Sequence, residues 1–151
     1  MIPGKAILTL AGVLAVTAGA SWFMFREVPD PALPRAAPPG AVEIAAGDVV
    51  RLTSRNFADV QAAGKPVLVD FWAPWCGPCR TQGPIVEQVA AQMGDSAIVG
   101  KVNVDEERDL ARQFGVRAIP TLIVFKAGAP MTQFVGVHPV ADLTAALAKA
   151  Q

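Results

Sequence analysis

The feature that most constrains the fold is a six-residue run, VLVDFW at 67–72, in which a single aspartate interrupts five apolar residues. A near-continuous apolar run this short is typical of a strand buried on both faces of a sheet. Such a strand needs helices above and below it, so the run predicts an α/β domain. Asp70 is the exception in this run, because burying a carboxylate is costly unless it has a partner or a task.

The rest of the chain from Asp48 onward alternates short apolar runs with segments of helical period. Alternation of this kind, followed by a hairpin, predicts the element order βαβαβαββα and a central mixed β-sheet with helices on both faces. We expect a turn at 127–130 before the last strand. The predicted strands are 49–53, 67–72, 98–105, 121–125 and 131–135.

The helices are predicted from their caps and apolar faces. Ser54 is a good N-cap for a first helix that ends near Gly64. A second helix follows the buried strand and ends at Gly94, and a third covers residues 106–114. Pro139 can start the last helix, whose apolar face is formed by Val140, Leu143 and Leu147.

An uncharged N-terminal segment of 20 residues, AILTLAGVLAVTAGASWFMF, covers positions 6–25. As a helix rising about 1.5 Å per residue it would span roughly 30 Å, the hydrocarbon thickness of a bilayer. We therefore expect a transmembrane anchor over residues 1–26. A cleaved signal peptide is the alternative, because Ala18-Gly19-Ala20 fits a small-residue cleavage pattern.

A proline-rich segment at 27–47 is predicted to be an extended linker that holds residues 48–151 away from the bilayer. Its first part, EVPDPALPRAAPPGAVE, contains five prolines. The short flank around Lys5 resembles that of a signal anchor, which predicts an inner-membrane protein whose domain faces the periplasm of a bacterium. Secretion to the periplasm after cleavage near Ala20 and a cytoplasm-facing domain are the alternatives.

The charge and the few ligand-type residues exclude several classes of function. Thirteen basic residues balance 13 acidic ones, so no basic face predicts nucleic-acid binding. One histidine and two cysteines cannot supply the four ligands of a Cys/His metal site. Arg80 stands where a haem-attachment motif needs histidine. We expect neither a metal nor another cofactor.

The two cysteines form the motif Cys76-Gly77-Pro78-Cys79, directly after the predicted buried strand. Residues three apart on a first helical turn have neighbouring side chains, so a disulfide can close. The helix N-terminus favours a thiolate at Cys76, whereas Cys79 is expected one turn deeper and less accessible. A structural cross-link is the alternative, but closing a loop of about four residues contributes only about 2 kcal/mol. Reversible redox chemistry explains the pair better.

Five motifs in order carry a family resemblance: VLVDFWAPWCGPCR at 67–80, KVNVD at 101–105, FGVRAIPT at 114–121, FKAGAP at 125–130 and FVGV at 134–137. Together they resemble the thioredoxin family over residues 49–151. The resemblance implies a thioredoxin fold in which Cys76 attacks a substrate disulfide and Cys79 resolves the mixed disulfide. It also implies that Asp70, with Lys101 nearby, helps Cys79 to lose its proton. A structural ion pair between Asp70 and Lys101 is the alternative.

The resemblance also implies a binding site for protein substrates. Pro120 matches a cis-proline that lets the backbone at Ile119 pair with an extended substrate segment. Trp72 is expected to pack under the active-site loop, and His138 to mark a helix start. The implied substrate-binding residues are Trp75, Gly77, Pro78, Ile119, Pro120, Gly136 and Val137.

The residues between the cysteines bear on the direction of electron flow. Oxidising relatives of this fold place a histidine there, whereas this chain has Gly77-Pro78, which favours a more reducing couple. The sequence predicts a membrane-tethered thiol–disulfide oxidoreductase that reduces protein disulfides. Its expected partners are protein disulfide substrates, a membrane electron donor of the thiol-reducing type, and lipid around the anchor. A disulfide oxidase or isomerase and a non-enzymatic binding or chaperone module are the alternatives.

Overall fold

The computed structural model describes residues 45–151. The predicted anchor at 1–26 and nearly all of the predicted linker at 27–47 lie outside the described residues. Between Ala45 and Gln151 no helix is long and apolar enough to cross a bilayer. The elements are β1 (Val49–Arg51), α1 (Phe57–Ala62), β2 (Val67–Trp72), α2 (Gly77–Met93), β3 (Ile98–Asn103), α3 (Arg108–Gln113), β4 (Thr121–Lys126), β5 (Ala129–Val135) and α4 (Val140–Lys149). The predicted order βαβαβαββα is confirmed.

The five strands form one mixed sheet in the order β1-β3-β2-β4-β5. Strands β1, β3 and β2 run parallel, and β4 and β5 pair antiparallel to their neighbours. The apolar run VLVDFW is β2 with the predicted bounds, and it lies between β3 and β4 at the centre of the sheet. Five of its six residues are buried, because strands flank it on both sides and helices cover both of its faces.

Each face of the sheet has its own apolar core. On one face, α1 and α3 cover β2 with Phe57 and Leu110. The ring centroids of Phe57 and Phe125 lie 5.7 Å apart in this core. On the other face, α2 and α4 cover it with Val86 and Leu143. The alternation of side chains along β2 places Leu68 on the second face, and the same period places Asp70 there, beneath α2.

The predicted N-cap at Ser54 is wrong. The first helix begins at Phe57, after Asn56. The hydroxyl and N–H of Ser54 donate to the carboxylate of Glu107, so its side chain is not available to cap α1. The side-chain oxygen of Asn56 instead accepts the N–H of Thr53 at 2.7 Å and closes the turn that precedes the helix.

The other boundaries differ from the predicted ones by one or two residues. Strand β3 ends at Asn103 and α3 begins later than expected, because the carbonyl of Asn103 accepts the N–H groups of Glu106 and Glu107 in a turn. Strand β5 begins at Ala129, within the predicted turn. The turn between β4 and β5 consists of only two residues, and both have positive φ: Ala127 at 49° and Gly128 at 80°. Positive φ at both positions gives a two-residue turn a twist that matches the twist of the strands on either side.

The segment before β1 lies against the C-terminal end of α2. A Cβ on Gly47 would lie 3.6 Å from the Cα of Ala91 and 3.7 Å from the carbonyl oxygen of Ala90. The positive φ of 84° at Gly47 is one that residues with side chains rarely adopt. The chain therefore enters the sheet next to the last turns of the helix whose first turn carries the cysteines.

Candidate active site

Cys76 and Cys79 form a disulfide at the start of α2. Their sulfurs are 2.04 Å apart and their Cα atoms 5.3 Å apart. Cys76 is the N-cap of the helix, and its sulfur accepts the backbone N–H of Cys79 at 3.2 Å. Pro78 fits the first turn because its missing N–H needs no partner there. The sulfur pair lies at the helix tip where the sequence predicts it.

The predicted difference in accessibility between the two cysteines is wrong in this disulfide form. Both residues are 4% exposed, because Trp72, Val104 and Ile119 pack against the cluster that contains them. The asymmetry is electrostatic: the Cys76 sulfur caps the helix and receives an N–H. Such a position stabilises negative charge on a sulfur. The structure thus distinguishes the two sulfurs of the disulfide by their hydrogen bonding and not by their burial.

The Ile119-Pro120 peptide bond is cis, as the resemblance implies. Pro120 is buried and Ile119 is half-buried against the cysteine cluster. The hydroxyl of Thr121 donates to the carbonyl of Ala118 at 2.7 Å and holds this turn. The N–H of Gly136 donates to the carbonyl of Pro120 at 2.8 Å. The cis-proline loop and the loop after β5 therefore lie side by side.

An apolar groove runs beside the cysteine cluster. It encloses a cavity of about 390 Å³ lined by Trp75, Val104, Ala111, Val116, Arg117, Ala118 and Ile119. Trp75 is 67% exposed and Val137 is 44% exposed, which leaves two large apolar side chains open to solvent. The indole N–H of Trp75 donates to Asp105 at 2.8 Å, so the ring is held in place although it is exposed. Gly77 and Pro78, between the cysteines, are also exposed.

Asp70 is completely buried, and neither of its carboxylate oxygens has a hydrogen-bond partner. Burial raises its pKa from 3.8 to about 6, and the positive charge of Lys101 opposes part of that rise. Lys101 is its register partner on β3, but the alternative of a direct ion pair is not realised among the described residues. The Lys101 ammonium instead lies 4.8 Å from the centre of the Trp72 ring.

The position of Lys101 connects this buried charge to the active-site helix. A Cβ on Gly83 would lie 3.6 Å from the Lys101 ammonium. Gly83 follows Cys79 by four residues and shares its helix face, so the ammonium reaches α2 one turn beyond the resolving cysteine. A carboxyl whose pKa is about 6 can gain or lose a proton near neutral pH, which general acid–base chemistry requires.

The structure adds two residues to the site for which the sequence predicts no role, Gln82 and Asp105. Gln82 is completely buried on α2, and its amide bonds the backbone of His138. Its spacing, three residues after Cys79 and four before Val86, could have placed it on the buried face of the helix. Asp105, the partner of Trp75, belongs to the KVNVD motif, but no local pattern links it to a residue 30 positions away. His138 lies next to Pro139, the N-cap of α4, as predicted.

No group of three His, Cys, Asp or Glu residues within positions 45–151 could hold a metal ion. A redox-active sulfur pair at a helix N-terminus, beside a cis-proline and an apolar groove, defines a thiol–disulfide oxidoreductase.

Comparison with known proteins agrees with this class. The thioredoxin family model matches residues 48–149. The chain is 50% identical over 97 residues to a thioredoxin of Alicyclobacillus acidocaldarius, an alignment that covers 64% of this chain and 92% of the relative. It is 41% identical over 126 residues to a chloroplastic M-type thioredoxin of Chlamydomonas reinhardtii, covering 82% of this chain and 89% of the relative. A mutant thioredoxin structure from Halobacterium salinarum superposes with a TM-score of 0.66 at 33% identity, covering 72% of this chain and 96% of the other.

The chain therefore belongs to the thioredoxin family. Its predicted enzyme class, protein-disulfide reductase of the thioredoxin type, is confirmed by the family match and by relatives of this similarity. The thioredoxin fold with a mixed five-stranded sheet is confirmed as well. The individual roles assigned to Asp70, Lys101 and the substrate-binding residues stay predictions.

Replacing Asp70 by Asn should stabilise the protein at alkaline pH. The folded-state pKa of about 6 lies above the ordinary 3.8, so the folded state binds this proton more tightly than the unfolded state. The contribution of Asp70 to stability is favourable below pH 4 and is lost as the pH rises through 6. Asp70→Asn should raise the free energy of unfolding by about 3 kcal/mol at pH 8 and have little effect at pH 4. Urea denaturation at the two pH values measures the difference.

The matched control is Asp48→Asn, which neutralises an exposed carboxylate. It should leave the free energy of unfolding nearly the same at both pH values. A gain in Asp70→Asn that is equally large at pH 4 and pH 8 would contradict the assignment of the cost to the ionised form.

Proposed function

We propose that this chain reduces protein disulfides from a membrane-tethered position. The observation that carries the proposal is the environment of Cys76, whose sulfur accepts one backbone N–H at a helix tip with only Gly77-Pro78 before its partner cysteine. The single histidine, His138, is engaged with Phe134 and Asp142 and not with the cysteines. A thiolate stabilised to this limited extent makes the dithiol less favoured and the couple more reducing.

The reaction moves two electrons from the chain to its substrate. The Cys76 thiolate attacks one sulfur of the substrate disulfide; a mixed disulfide forms and the other substrate sulfur leaves as a thiolate. The Cys79 thiolate then attacks the Cys76 sulfur, the mixed disulfide breaks, and the second substrate sulfur is released. The two protons lost when Cys76 and Cys79 ionise are taken up through solvent by the two substrate thiolates, so the substrate ends as a dithiol and Cys76–Cys79 ends as the disulfide seen in the structure.

Asp70 supports the second step. The thiol of Cys79 must lose its proton before it can attack, and the carboxyl beneath α2 has a pKa of about 6, in the range where it can accept one. Lys101 lies between Trp72 and the Gly83 turn and supplies a positive charge that favours the ionised carboxylate. Both residues act from beneath the helix and do not line the groove beside the cysteine cluster.

The contacts with the substrate are made by exposed residues and by backbone beside the apolar groove. Trp75, Gly77, Pro78 and Val137 offer exposed surface around the sulfurs, and the cis-proline loop at Ile119 presents backbone to an extended segment. An extended peptide can pair with such backbone while its side chains occupy apolar surface on either side. Protein disulfides in extended or unfolded segments are the class of substrate that suits this arrangement.

Tethering is supported by the sequence before the domain. The uncharged residues 6–25 have the length of a membrane span, and the prolines that follow favour an extended spacer. A domain on the periplasmic side would need a membrane electron donor of the thiol-reducing type to return the Cys76–Cys79 disulfide to the dithiol. Lipid contact would be confined to the anchor.

Substitution of each cysteine separates an enzyme from a binding module. Cys76→Ser should abolish insulin reduction in the presence of dithiothreitol, because the attacking sulfur is gone. Cys79→Ser should accumulate a mixed disulfide through Cys76, visible as a mass increase that dithiothreitol reverses. Retention of wild-type reduction by Cys76→Ser would rule out the mechanism, and peptide binding with no thiol exchange would favour a chaperone module.

The reduction potential tests the direction of electron flow. Equilibration of the pair with glutathione buffers should give a potential close to about −270 mV, the general reference value for thioredoxins and not one derived from this chain. A potential near about −120 mV, at the strongly oxidising end of the scale, would make the chain a disulfide oxidase.

The tether and its orientation are tested in cells. Alkaline phosphatase fused after Gln151 should be active, since this enzyme needs the oxidising periplasm to form its disulfides. The fusion should stay in the membrane fraction after alkaline carbonate washing, and its mass should include residues 1–26. An inactive fusion would place the domain in the cytoplasm, and a soluble product that begins near Ala20 would identify a cleaved signal peptide.

A further inference from the structure

The amide of Gln82 holds one residue of a neighbouring loop by two hydrogen bonds. Its side-chain oxygen accepts the backbone N–H of His138 at 2.8 Å. Its side-chain nitrogen donates to the carbonyl of the same residue at 3.3 Å. The side chain is completely buried, in a helix whose other inward residues include Val86 and Val89. A buried amide on the inner face of a helix is costly unless both of its polar ends are bonded, and here each has a partner.

The loop that Gln82 holds carries part of the predicted substrate surface. It joins β5 to α4 and contains Gly136, Val137 and His138. At its first residue, the N–H of Gly136 donates to the carbonyl of Pro120 at 2.8 Å. At its third residue, both backbone groups of His138 bond Gln82. Val137, 44% exposed, therefore sits between one residue tied to the cis-proline and one tied to the cysteine-bearing helix.

The side chain of His138 takes no part in the hydrogen bonds to Gln82. Its ring packs against Phe134 in a tilted arrangement with centroids 4.9 Å apart, and its Nδ1 lies 3.5 Å from the carboxylate of Asp142. These contacts keep the imidazole on β5 and α4. The link between the loop and α2 is thus made by the backbone of His138 and by the amide of Gln82.

We propose that Gln82 is a positioning residue for the docking of protein substrates. Gln82 follows Cys79 by three residues on the same rigid helix, so the amide sets the place of Val137 relative to the sulfurs. A loop that is already ordered loses less conformational freedom when a substrate binds, which favours binding more than it favours the chemical step. Because Gln82 is buried, it acts through the loop and does not touch the substrate. The inference rests on the proposed reduction of protein disulfides.

The proposal predicts different effects on large and small disulfides. An extended protein segment reaches the loop as well as the sulfurs, whereas a small disulfide such as 2-hydroxyethyl disulfide needs only the sulfurs. Loss of the two hydrogen bonds between Gln82 and His138 should therefore weaken the binding of protein disulfides and leave the reaction with small disulfides largely unaffected. A general loss of structure would affect both to the same extent.

The test compares Gln82→Met with Gln88→Met in the full chain. Methionine is close to glutamine in size and removes both hydrogen bonds, while Gln88 is exposed on the same helix. For insulin, with dithiothreitol restoring the dithiol, the KM of Gln82→Met should rise about fivefold or more while kcat stays within about twofold. The rate with 2-hydroxyethyl disulfide should change by less than about twofold. Gln88→Met should match the wild type throughout.

Hydrogen exchange tests the two hydrogen bonds between Gln82 and His138 directly. The amide of His138 should exchange at least about tenfold faster in Gln82→Met, because its acceptor is removed, and not in Gln88→Met. An unchanged KM for insulin, or equal losses with insulin and the small disulfide, would overturn the proposal. Should Gln82→Met fail to fold, Gln82→Leu, which also removes both the acceptor for the His138 N–H and the donor to the His138 carbonyl, takes its place with the same criteria. A wild-type chain that does not reduce insulin would overturn the proposed function instead.

Discussion

The hydrogen bond from the Cys79 N–H to the Cys76 sulfur is the interaction on which the site depends. It exists because Cys76 occupies the N-cap of α2, where backbone N–H groups lack partners within the helix. The helix begins there because β2 ends at Trp72 and the chain turns back over the sheet through residues 73–75. The central strand, the turn and the helix tip together place one sulfur in an environment that favours charge, and the second sulfur within bonding reach of it.

The parts of the fold and site that depend on neighbouring residues in the sequence could be predicted from it. The run VLVDFW predicts β2 with its observed bounds, and the spacing of the cysteines predicts their disulfide. The cis peptide before Pro120 follows from the family resemblance, since a cis bond has no other local signal than proline. The strand order β1-β3-β2-β4-β5 goes beyond the predicted mixed sheet, because pairing between distant strands is not encoded in either strand alone.

The errors in the sequence reasoning share a cause, which is contact between distant parts of the chain. Ser54 has the residue type of an N-cap, but Glu107, 53 residues away, accepts its hydrogen bonds. The depth of Cys79 could not be read from helix geometry, because Trp72, Val104 and Ile119 from three parts of the chain cover both cysteines alike. The spacing of Gln82 on α2 could indicate its buried position, but not its partner, the backbone of His138, which lies 56 residues further along the chain.

The two ends of α2 have different surroundings, and the distance between them bears on how the reactive sulfurs can move. The chain enters at Gly47 beside Ala90 and Ala91, near the last turn of α2, while the disulfide caps the first turn. Seventeen helical residues separate these ends by roughly 25 Å. The described part of the chain therefore begins beside the end of α2 that is opposite the sulfurs. Rotation of the domain about that end would sweep the reactive sulfurs through a wide arc without straining the active site.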